Sequence, residues 1–189
     1  MSKSIGSSCA ALALTILAAV FCSSGCAAYD GAKETAKELG KETSITSAVG
    51  INATGGEYTE IYEDHGGFHG DGTTYSTVKF SDDTALNAIK ENKNWKELPL
   101  SDNVNILLYG VTTEGEDYVE SIGPFVSDTD GNPLAPEIEY GYYFFMDRQA
   151  EENEDKYDDS KVLDRGSYNF TVAVYDTDTD VMHYFKMDT

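Results

Sequence analysis

The fold is most clearly encoded at residues 168–187, which read YNFTVAVYDTDTDVMHYFKM. From Tyr168 to Val174, aromatic and β-branched residues alternate with smaller or polar ones, which is typical of a strand with one buried face. The aspartates of Asp176–Asp180 favour a reversal of the chain. Alternation resumes over Val181–Met187, so the stretch predicts an antiparallel β-hairpin at the C-terminal end.

Other strands are predicted upstream of this hairpin. Residues 58–62 and 75–80 alternate in the same way and enclose a glycine-rich segment, residues 65–72, which reads HGGFHGDG. They predict a second hairpin. Two further segments, residues 104–109 and 140–146, are apolar or aromatic on both faces. We expect each of these to be an interior strand that its neighbours cover.

One helix is predicted, over about residues 83–94. Asp82 and Asp83 stand where N-caps belong. Lysines gather toward the other end, where cations interact favourably with the helix dipole, and Pro99 ends the run.

These elements together indicate the fold class. Most of the predicted strands follow one another through turns that are too short for parallel crossovers. The sequence therefore predicts an α+β domain with a mainly antiparallel sheet, one helix and the C-terminal hairpin. The alternative is an immunoglobulin-like β-sandwich, because the last two strands of such a domain often look like this hairpin, although the helix fits it poorly.

The acidic composition excludes one class of partner. The 189 residues include 13 Lys and Arg and 34 Asp and Glu, which gives a formal net charge of -21. Because nucleic acids are bound mainly through Lys and Arg, nucleic-acid binding is disfavoured, and so is adhesion of the domain to anionic lipid. Cationic ligands, metal ions and neutral sugars remain compatible with this charge.

The N-terminal residues have the order of an export signal. Lys3 precedes an apolar run, Ala10–Cys22, in which Thr15 is the one polar residue, and Gly25-Cys26 follows. A run of about 13 residues is too short to cross the ~30 Å of membrane hydrocarbon, which takes about 20 residues. The run therefore predicts a signal peptide and not a membrane-spanning helix.

The end of this segment resembles the lipobox of bacterial lipoproteins, in which small residues precede a cysteine that receives lipid before cleavage. Small residues stand directly before Cys26, and Ser23 stands where the family usually has Leu. The resemblance implies that residues 1–25 are removed and that Cys26 carries lipid. It also implies that the protein is tethered to the extracytoplasmic face of the cell membrane. The alternative is an ordinary secretory peptide cleaved near Ala27 or Ala28.

This assignment accounts for every cysteine. Cys9 and Cys22 fall within the signal, and Cys26 is the point of lipid attachment. The domain is then left without a thiol, which excludes disulfides, thiol nucleophiles and Cys-ligated zinc from it. Beginning at Cys26, the chain has 12 Lys and Arg against 34 Asp and Glu, a formal charge of -22.

A flexible tether is predicted at residues 26–55, beginning with the lipidated cysteine. Its apolar content is low, so packing would offset little of the entropy lost on ordering it. As a flexible chain it would span about 30 Å. We place a single globular domain at residues 56–189 and expect a chain that begins at Gly56 to melt close to the full mature form.

The sharpest candidate site is formed by His65 and His69, with Asp71 close by. Imidazole and carboxylate are ordinary ligands of zinc and similar ions, and side chains four residues apart face the same way on an extended strand. The Glu that makes a helical HExxH motif catalytic is absent. A weak metal site is therefore one hypothesis. The interpretation that we favour is a loop whose histidines hydrogen-bond to nearby backbone or carboxylates.

Two other groups are candidate binding residues. Tyr140 and Tyr142 belong to an aromatic strand that would bind a glycan if its tyrosines were exposed on one face, whereas burial would favour a structural or protein-binding role. Arg148 and Arg165 are the two arginines of the chain. If the strands beside them pair, they lie near carboxylates, so structural salt bridges are expected of them, with capture of an anionic ligand as the alternative.

Acidic segments elsewhere are interpreted without a ligand. The aspartate-rich residues 128–132 and 176–180 lack the Gly and Glu that an EF-hand needs at its later positions, and ordinary turns explain them. Residues 151–159 contain too little apolar surface to be buried and predict a mobile loop.

No pattern of nucleophile, base and oxyanion donors can be identified in the sequence, and it contains no phosphate-binding glycine motif. These observations disfavour an enzyme. We predict a lipoprotein that is a non-catalytic binding or protein-interaction module at the cell envelope, with membrane, envelope proteins or glycans as partners and no cofactor. The alternatives are a solute or glycan receptor that uses the aromatics of Tyr140–Phe145, and a weak metal-binding protein or metal-dependent hydrolase that uses His65 and His69.

Overall fold

The computed structural model describes residue 33 and residues 36–66, 70–115 and 118–189. Cys26 and His69 therefore lie outside the described residues. The chain consists of two compact units, Met1–Lys41 and Glu42–Thr189. The described residues of the first unit are helical, and the elements and sites below belong to the second unless stated.

Within the described residues the chain forms three α-helices, one 3-10 helix and eight strands. The helices are α1 over residues 36–49, α2 (Thr84–Glu91) and α3 (Asp102–Tyr109), and the 3-10 helix is Val162–Asp164. The strands are β1 (Glu57–Glu63), β2 (Gly72–Lys79), β3 (Trp95–Glu97), β4 (Val111–Glu114), β5 (Val119–Ile122), β6 (Gly141–Asp147), β7 (Phe170–Asp176) and β8 (Val181–Asp188). None of the described helices is long and apolar enough to cross a membrane.

Six strands form one open sheet in the order β1-β2-β8-β7-β6-β3, and β4 pairs with β5 in a separate two-stranded sheet. Every pair in the main sheet is antiparallel. The predicted antiparallel sheet is therefore confirmed, together with the hairpins β1–β2 and β7–β8 and the interior position of β6.

The side chains of β6 alternate between two hydrophobic clusters on opposite faces of the main sheet, because successive residues of a strand point to opposite sides. Phe144 belongs to one cluster with Ile89 of α2. Tyr143 and Phe145 belong to the other cluster with Leu107 of α3. Helices, and not a second large sheet, contribute to both clusters. This arrangement fits the α+β class better than the sandwich alternative.

The prediction of one helix is wrong, because the described residues contain three. α2 lies inside the predicted helix and ends earlier, but residues 104–109, predicted as a strand, form most of α3. Ser101 caps α3 by accepting a hydrogen bond from the Val104 amide (3.4 Å), and Gly110 follows its last residue with φ at +73°. A short apolar run fits a strand or a helix equally well, and these end residues favour the helix.

The structure also differs from the prediction of a flexible tether that extends to residue 55. Ile45 and Val49 of α1 are buried, and so are Ile51 and Ala53, which follow the helix. All four belong to the same cluster as Phe144. The apolar residues of this segment are few, but four-residue spacing places Ile45 and Val49 on one helical face, so they pack together on the sheet.

The acidic segment at residues 151–159 is a loop of turns, as predicted, but its end is anchored. The Asp159 side chain is buried and accepts a hydrogen bond from the Ser101 hydroxyl (2.5 Å). The ring of Tyr157 packs edge-on against Phe144, with 5.7 Å between centroids. Burial of these side chains restrains a segment that its composition alone predicts to be mobile.

Candidate functional site

His65 lies just after β1 and contacts carboxylates through both ring nitrogens. Nδ1 is 2.5 Å from Oε1 of Glu63, and Nε2 is 3.1 Å from Oδ2 of Asp188 at the end of β8. The hydroxyl of Thr74 lies 3.3 Å from Nδ1. These are the contacts of a histidine that hydrogen-bonds to nearby carboxylates, which is the interpretation favoured from the sequence. A metal ligand would need one nitrogen free for the ion.

Asp188 connects this histidine to two cations. Its carboxylate also accepts from Arg148 (2.7 Å) and from Lys186 (2.6 Å). Although partial burial acts in the opposite direction, hydrogen bonds from Lys186 and Arg148 keep the pKa of Asp188 below its ordinary value. The loop after β1 is therefore joined to the central strand β8 through charged side chains.

The two arginines form the salt bridges that the sequence predicts. Arg148 pairs with Asp188, and its Nη2 donates to the carbonyl of Met187 (2.6 Å). Arg165 pairs with Asp147 at 2.6 Å. Each side chain is half-buried and bound by acceptors of the protein, although the buried Nε of Arg148 has no hydrogen-bond partner among the described residues. These contacts give both residues a structural role at one end of the sheet.

No metal centre is present among the residues that the structure describes, in the sense that no three His, Cys, Asp or Glu side chains are placed to surround an ion. Asp71 is exposed. Because His69 lies outside the described residues, the pairing of His65 with His69 stays a prediction. The third histidine, His183, accepts or donates a hydrogen bond at Nδ1 with the Tyr75 hydroxyl (2.9 Å), and burial lowers its pKa.

The aromatic segment of β6 and the residue before it divides into a buried part and a more exposed end. Tyr143, Phe144 and Phe145 are buried in the two clusters. Tyr140 is 57% exposed, and Tyr142 is half-buried. A hydrogen bond to the Glu139 carboxylate raises the pKa of Tyr140. Within this aromatic segment, Tyr140 and Tyr142 are therefore the tyrosines that reach the surface, and they are the two that the sequence predicted as binding residues. Glu139 lies beside Tyr140.

Tyr140 and Tyr142 line the smaller of two cavities, of about 240 and 510 Å³, which share the lining residues Leu98 and Glu139. The larger cavity is lined chiefly by apolar residues from the segment after β3 and by Tyr109 of α3. We call the two cavities together the Glu139 groove; the residues used below to describe it are Glu97, Leu98, Leu100, Tyr109, Glu137, Ile138, Glu139, Tyr140 and Tyr142. Sequence reasoning missed the groove because its walls come from separate segments.

A second surface feature is the hairpin of β4 and β5, all of whose strand residues are exposed. It presents four large apolar side chains, which we call the hairpin surface: Val111, Tyr118, Val119 and Ile122. Val119 is 69% exposed and Tyr118 is 60% exposed. Val111 and Ile122 lie directly opposite each other in the strand register, so their side chains share one face of the hairpin.

Two glycines form the base of this hairpin. Gly110 and Gly123 have φ angles of +73° and +67°, which other residues rarely adopt. A Cβ on Gly123 would lie 2.6 Å from the carbonyl oxygen of Ile106, and one on Gly110 would lie 2.7 Å from the nitrogen of Pro124. After the hairpin, the amides of Phe125 and Val126 both donate to the carbonyl of Leu107. The hairpin therefore leaves and rejoins α3 at a closely packed point.

Sequence reasoning also missed the hairpin, although the signal is present. β-Branched residues on both sides of Gly115 are the pattern of two short strands and a turn. The exposure of its strand residues distinguishes this hairpin from the other two, and exposure cannot be read from an alternating sequence pattern.

No protein-family model, curated protein or solved structure matches this chain. Its function is therefore inferred from the hairpin surface, the Glu139 groove and the sequence itself.

Proposed function

We propose that this protein is a lipoprotein of a bacterial cell envelope, anchored to the extracytoplasmic face of the cell membrane through lipid on Cys26, and that it is a non-catalytic protein-interaction module. The order of Lys3, the apolar run and Gly25-Cys26 supports the anchor. The hairpin surface is the observation that carries the interaction role.

Apolar residues are common on protein surfaces when they occur singly. The hairpin surface is different because three of them lie on two short paired strands and the fourth, Tyr118, directly precedes β5, all outside either core cluster. Covering one such side chain contributes about 1.5–3 kcal/mol. A partner that covered several of them would therefore gain enough free energy to bind stably, and an isolated two-stranded hairpin is itself only marginally stable.

The strands themselves offer a second means of recognition. Within the described part of the chain, β4 pairs with β5 and with no other strand. The outer edge of each strand can accept an additional strand from a partner, with main-chain hydrogen bonds that supply affinity and side-chain contacts that supply specificity.

The negative charge of the hairpin indicates what kind of surface a partner would have. The segment of residues 111–122 contains Glu114, Glu116, Asp117 and Glu120 and no Lys or Arg. A partner that matches it presents an apolar patch bordered by Lys or Arg. Complementary charge of this kind raises the association rate and weakens as salt screens it.

The alternatives receive less support. A glycan receptor that uses Tyr140–Phe145 would need these aromatics on one exposed face, but three of them are buried in the core clusters. A metal-dependent hydrolase would use His65, both of whose ring nitrogens contact carboxylates. Burial of β6 favours the protein-interaction module, in which the sheet is a scaffold for the hairpin.

The test is site-specific photocrosslinking in intact cells, with a crosslinking residue at position 113, which is exposed and lies on the same face of the hairpin as Val111 and Ile122. We expect a discrete protein adduct that disappears in a Val111→Ser, Ile122→Ser double variant and weakens at high salt. Ile61→Ser is the matched control, because Ile61 is also an exposed apolar residue, at 51%, but lies on β1. The proposal fails if no adduct forms, or if Ile61→Ser removes the adduct as completely as the double variant does.

A further inference from the structure

We infer that the Glu139 groove is a binding site for a small organic cation, an alkylammonium or guanidinium group on an apolar stem. This inference concerns a different surface from the hairpin and does not depend on the hairpin having a partner. Its basis is the combination of size, an apolar floor, carboxylates and two tyrosines, one exposed and one half-buried.

The volume of the groove suits a small molecule. Its two cavities, of about 510 and 240 Å³, adjoin through Leu98 and Glu139. Ligand sites in proteins typically measure about 300–1,000 Å³. The groove therefore accommodates a compact organic molecule, and it is too large for a single bare metal ion.

One side of the groove, which we call its floor, is apolar and packs against the hydrophobic core. Leu98, Leu100 and Ile138 line the larger cavity, and all three pack on the cluster that includes Tyr143 and Phe145. Because the core supports these side chains, the floor keeps its shape without a ligand. An alkyl or aromatic stem placed on it would leave water with a gain of about 25 cal/mol per Å².

Hydrogen bonds connect the segments that form the walls. The Leu98 amide donates to the carbonyl of Gly141 (3.0 Å). The hydroxyl of Tyr109 donates to the carbonyl of Pro136 (2.7 Å), next to Glu137. The Thr177 amide donates to the carbonyl of Tyr140 (3.2 Å). These bonds preorganise the groove, which lowers the entropy lost on binding.

The negative charge of the groove favours a cationic ligand over an anionic one. Glu97, Glu137 and Glu139 line the two cavities, and no Lys or Arg among the residues that the structure describes lines either of them. The nearest base in the sequence, Lys96, faces elsewhere: its Nζ is 3.8 Å from Asp159 and 5.8 Å from the centroid of Tyr143. An anionic ligand would be repelled, whereas an ammonium or guanidinium group would be attracted by the carboxylates.

The tyrosines and the floor distinguish an organic cation from a metal ion. Tyr140 and Tyr142 line the smaller cavity, and the face of a tyrosine ring attracts an organic cation within about 6 Å. A hard metal ion gains nothing from an apolar floor. The described residues include no carboxylate group of three that is placed to surround such an ion.

The test measures binding of three probes to the full mature protein by calorimetry at low ionic strength. Hexylamine supplies both charge and stem, methylamine supplies charge alone, and hexanol supplies the stem alone. We expect hexylamine to bind with a Kd on the order of 1 mM or tighter, and at least tenfold more tightly than either of the other probes. Equal binding of hexylamine and methylamine would overturn the inference, because it would show general attraction to an acidic protein.

Variants separate the groove from the overall charge of the protein. Glu137→Gln with Glu139→Gln should weaken hexylamine binding at least tenfold, and both side chains are exposed, so we expect the fold to survive. The matched control is Glu151→Gln with Glu152→Gln, which removes the same charge from an exposed loop. An equal loss of binding in the two double variants, or hexylamine binding that neither changes, would contradict the site. Tyr140→Ala should give a smaller loss, without changing the melting temperature by more than a few degrees.

Discussion

Nε2 of His65 lies 3.1 Å from Oδ2 of Asp188, and this contact joins the loop after the edge strand β1 to the central strand β8. Replacement of Asp188 by Ala should lower the free energy of unfolding by about 2–3 kcal/mol, because Arg148 and Lys186 lose their shared acceptor. His65→Ala should cost about 1 kcal/mol. Urea denaturation measures both changes. Asp71→Ala, at an exposed position in the same loop, should change little, and equal effects of all three would refute the role assigned to the contact.

The same carboxylate predicts a pH dependence. In the folded protein the pKa of Asp188 is lowered, and in the unfolded chain it is near the ordinary value of about 3.9. The contribution of Asp188 is therefore fully present above about pH 5 and is lost as the pH falls through the lowered folded pKa. Urea midpoints measured from pH 7 to pH 2.5 should fall more steeply for the natural protein than for Asp188→Asn. Parallel curves would contradict this assignment.

The base of the hairpin predicts a strong glycine requirement. Gly123→Ala places a Cβ 2.6 Å from the carbonyl oxygen of Ile106 at a φ of +67°, so the backbone must shift. We expect a loss of about 2–3 kcal/mol in thermal unfolding. Gly131→Ala is the matched control, since its φ is also positive, at +84°, but no atom lies within 4 Å of the added Cβ. It should cost only about 1 kcal/mol, and equal losses would show that packing at the base is unimportant.

The packing of α1 predicts that the segment before residue 56 is needed for stability. Ile45→Ala should lower the free energy of unfolding by about 2–4 kcal/mol, because Ile45 is buried against the sheet. A chain that begins at Gly56 should unfold at a much lower temperature, or fail to fold. Ser47→Ala tests the exposed side of the same helix and should change stability by no more than about 0.5 kcal/mol. An unchanged melting temperature for the shortened chain would restore the flexible-tether prediction.

Lipid attachment at Cys26 is tested by substitution. Cys26→Ser should abolish incorporation of a fatty-acid analogue and release the protein from the membrane fraction, because lipid provides the attachment in this proposal. The natural sequence, labelled in parallel, is the reference. Retention of both label and membrane association by the variant would show that the proposed anchor is wrong.

Strands with regular alternation of apolar and polar residues were the part of the structure that could be predicted from the sequence. Phe170, Val172 and Val174 could be assigned to a strand because a period of two is visible in the residues alone. The run at Ile106–Leu108 has no clear period, so its helical form depends on Ser101 and Gly110 at its ends. Ile45 and Val49 were overlooked because a segment with few apolar residues can still bury several of them on one helical face.

The surface sites depend on information that a sequence pattern does not contain. Tyr140 and Tyr142 could be singled out by residue type, but Leu98, Tyr109 and Glu137 meet only because β3, α3 and the segment before β6 converge in the folded sheet. The exposure of Val119 is likewise a tertiary property. An apolar residue in a short strand is usually buried, and here none of the elements that the structure describes covers it.

The central position of β8 has a consequence for how the protein is made. β8 pairs with β7, its neighbour in sequence, and also with β2, where contacting residues such as Thr73 and Met187 are 114 positions apart. The ribosome delivers a chain from its N-terminal end, so the β1–β2 hairpin emerges long before the strand that joins it to the remainder. Until β8 arrives, two partial sheets have unpaired edges and uncovered apolar faces, and contacts between distant residues form slowly. A nascent chain of this protein should therefore stay unfolded until the final strand of the domain has left the ribosome, and folding then occurs in one late step.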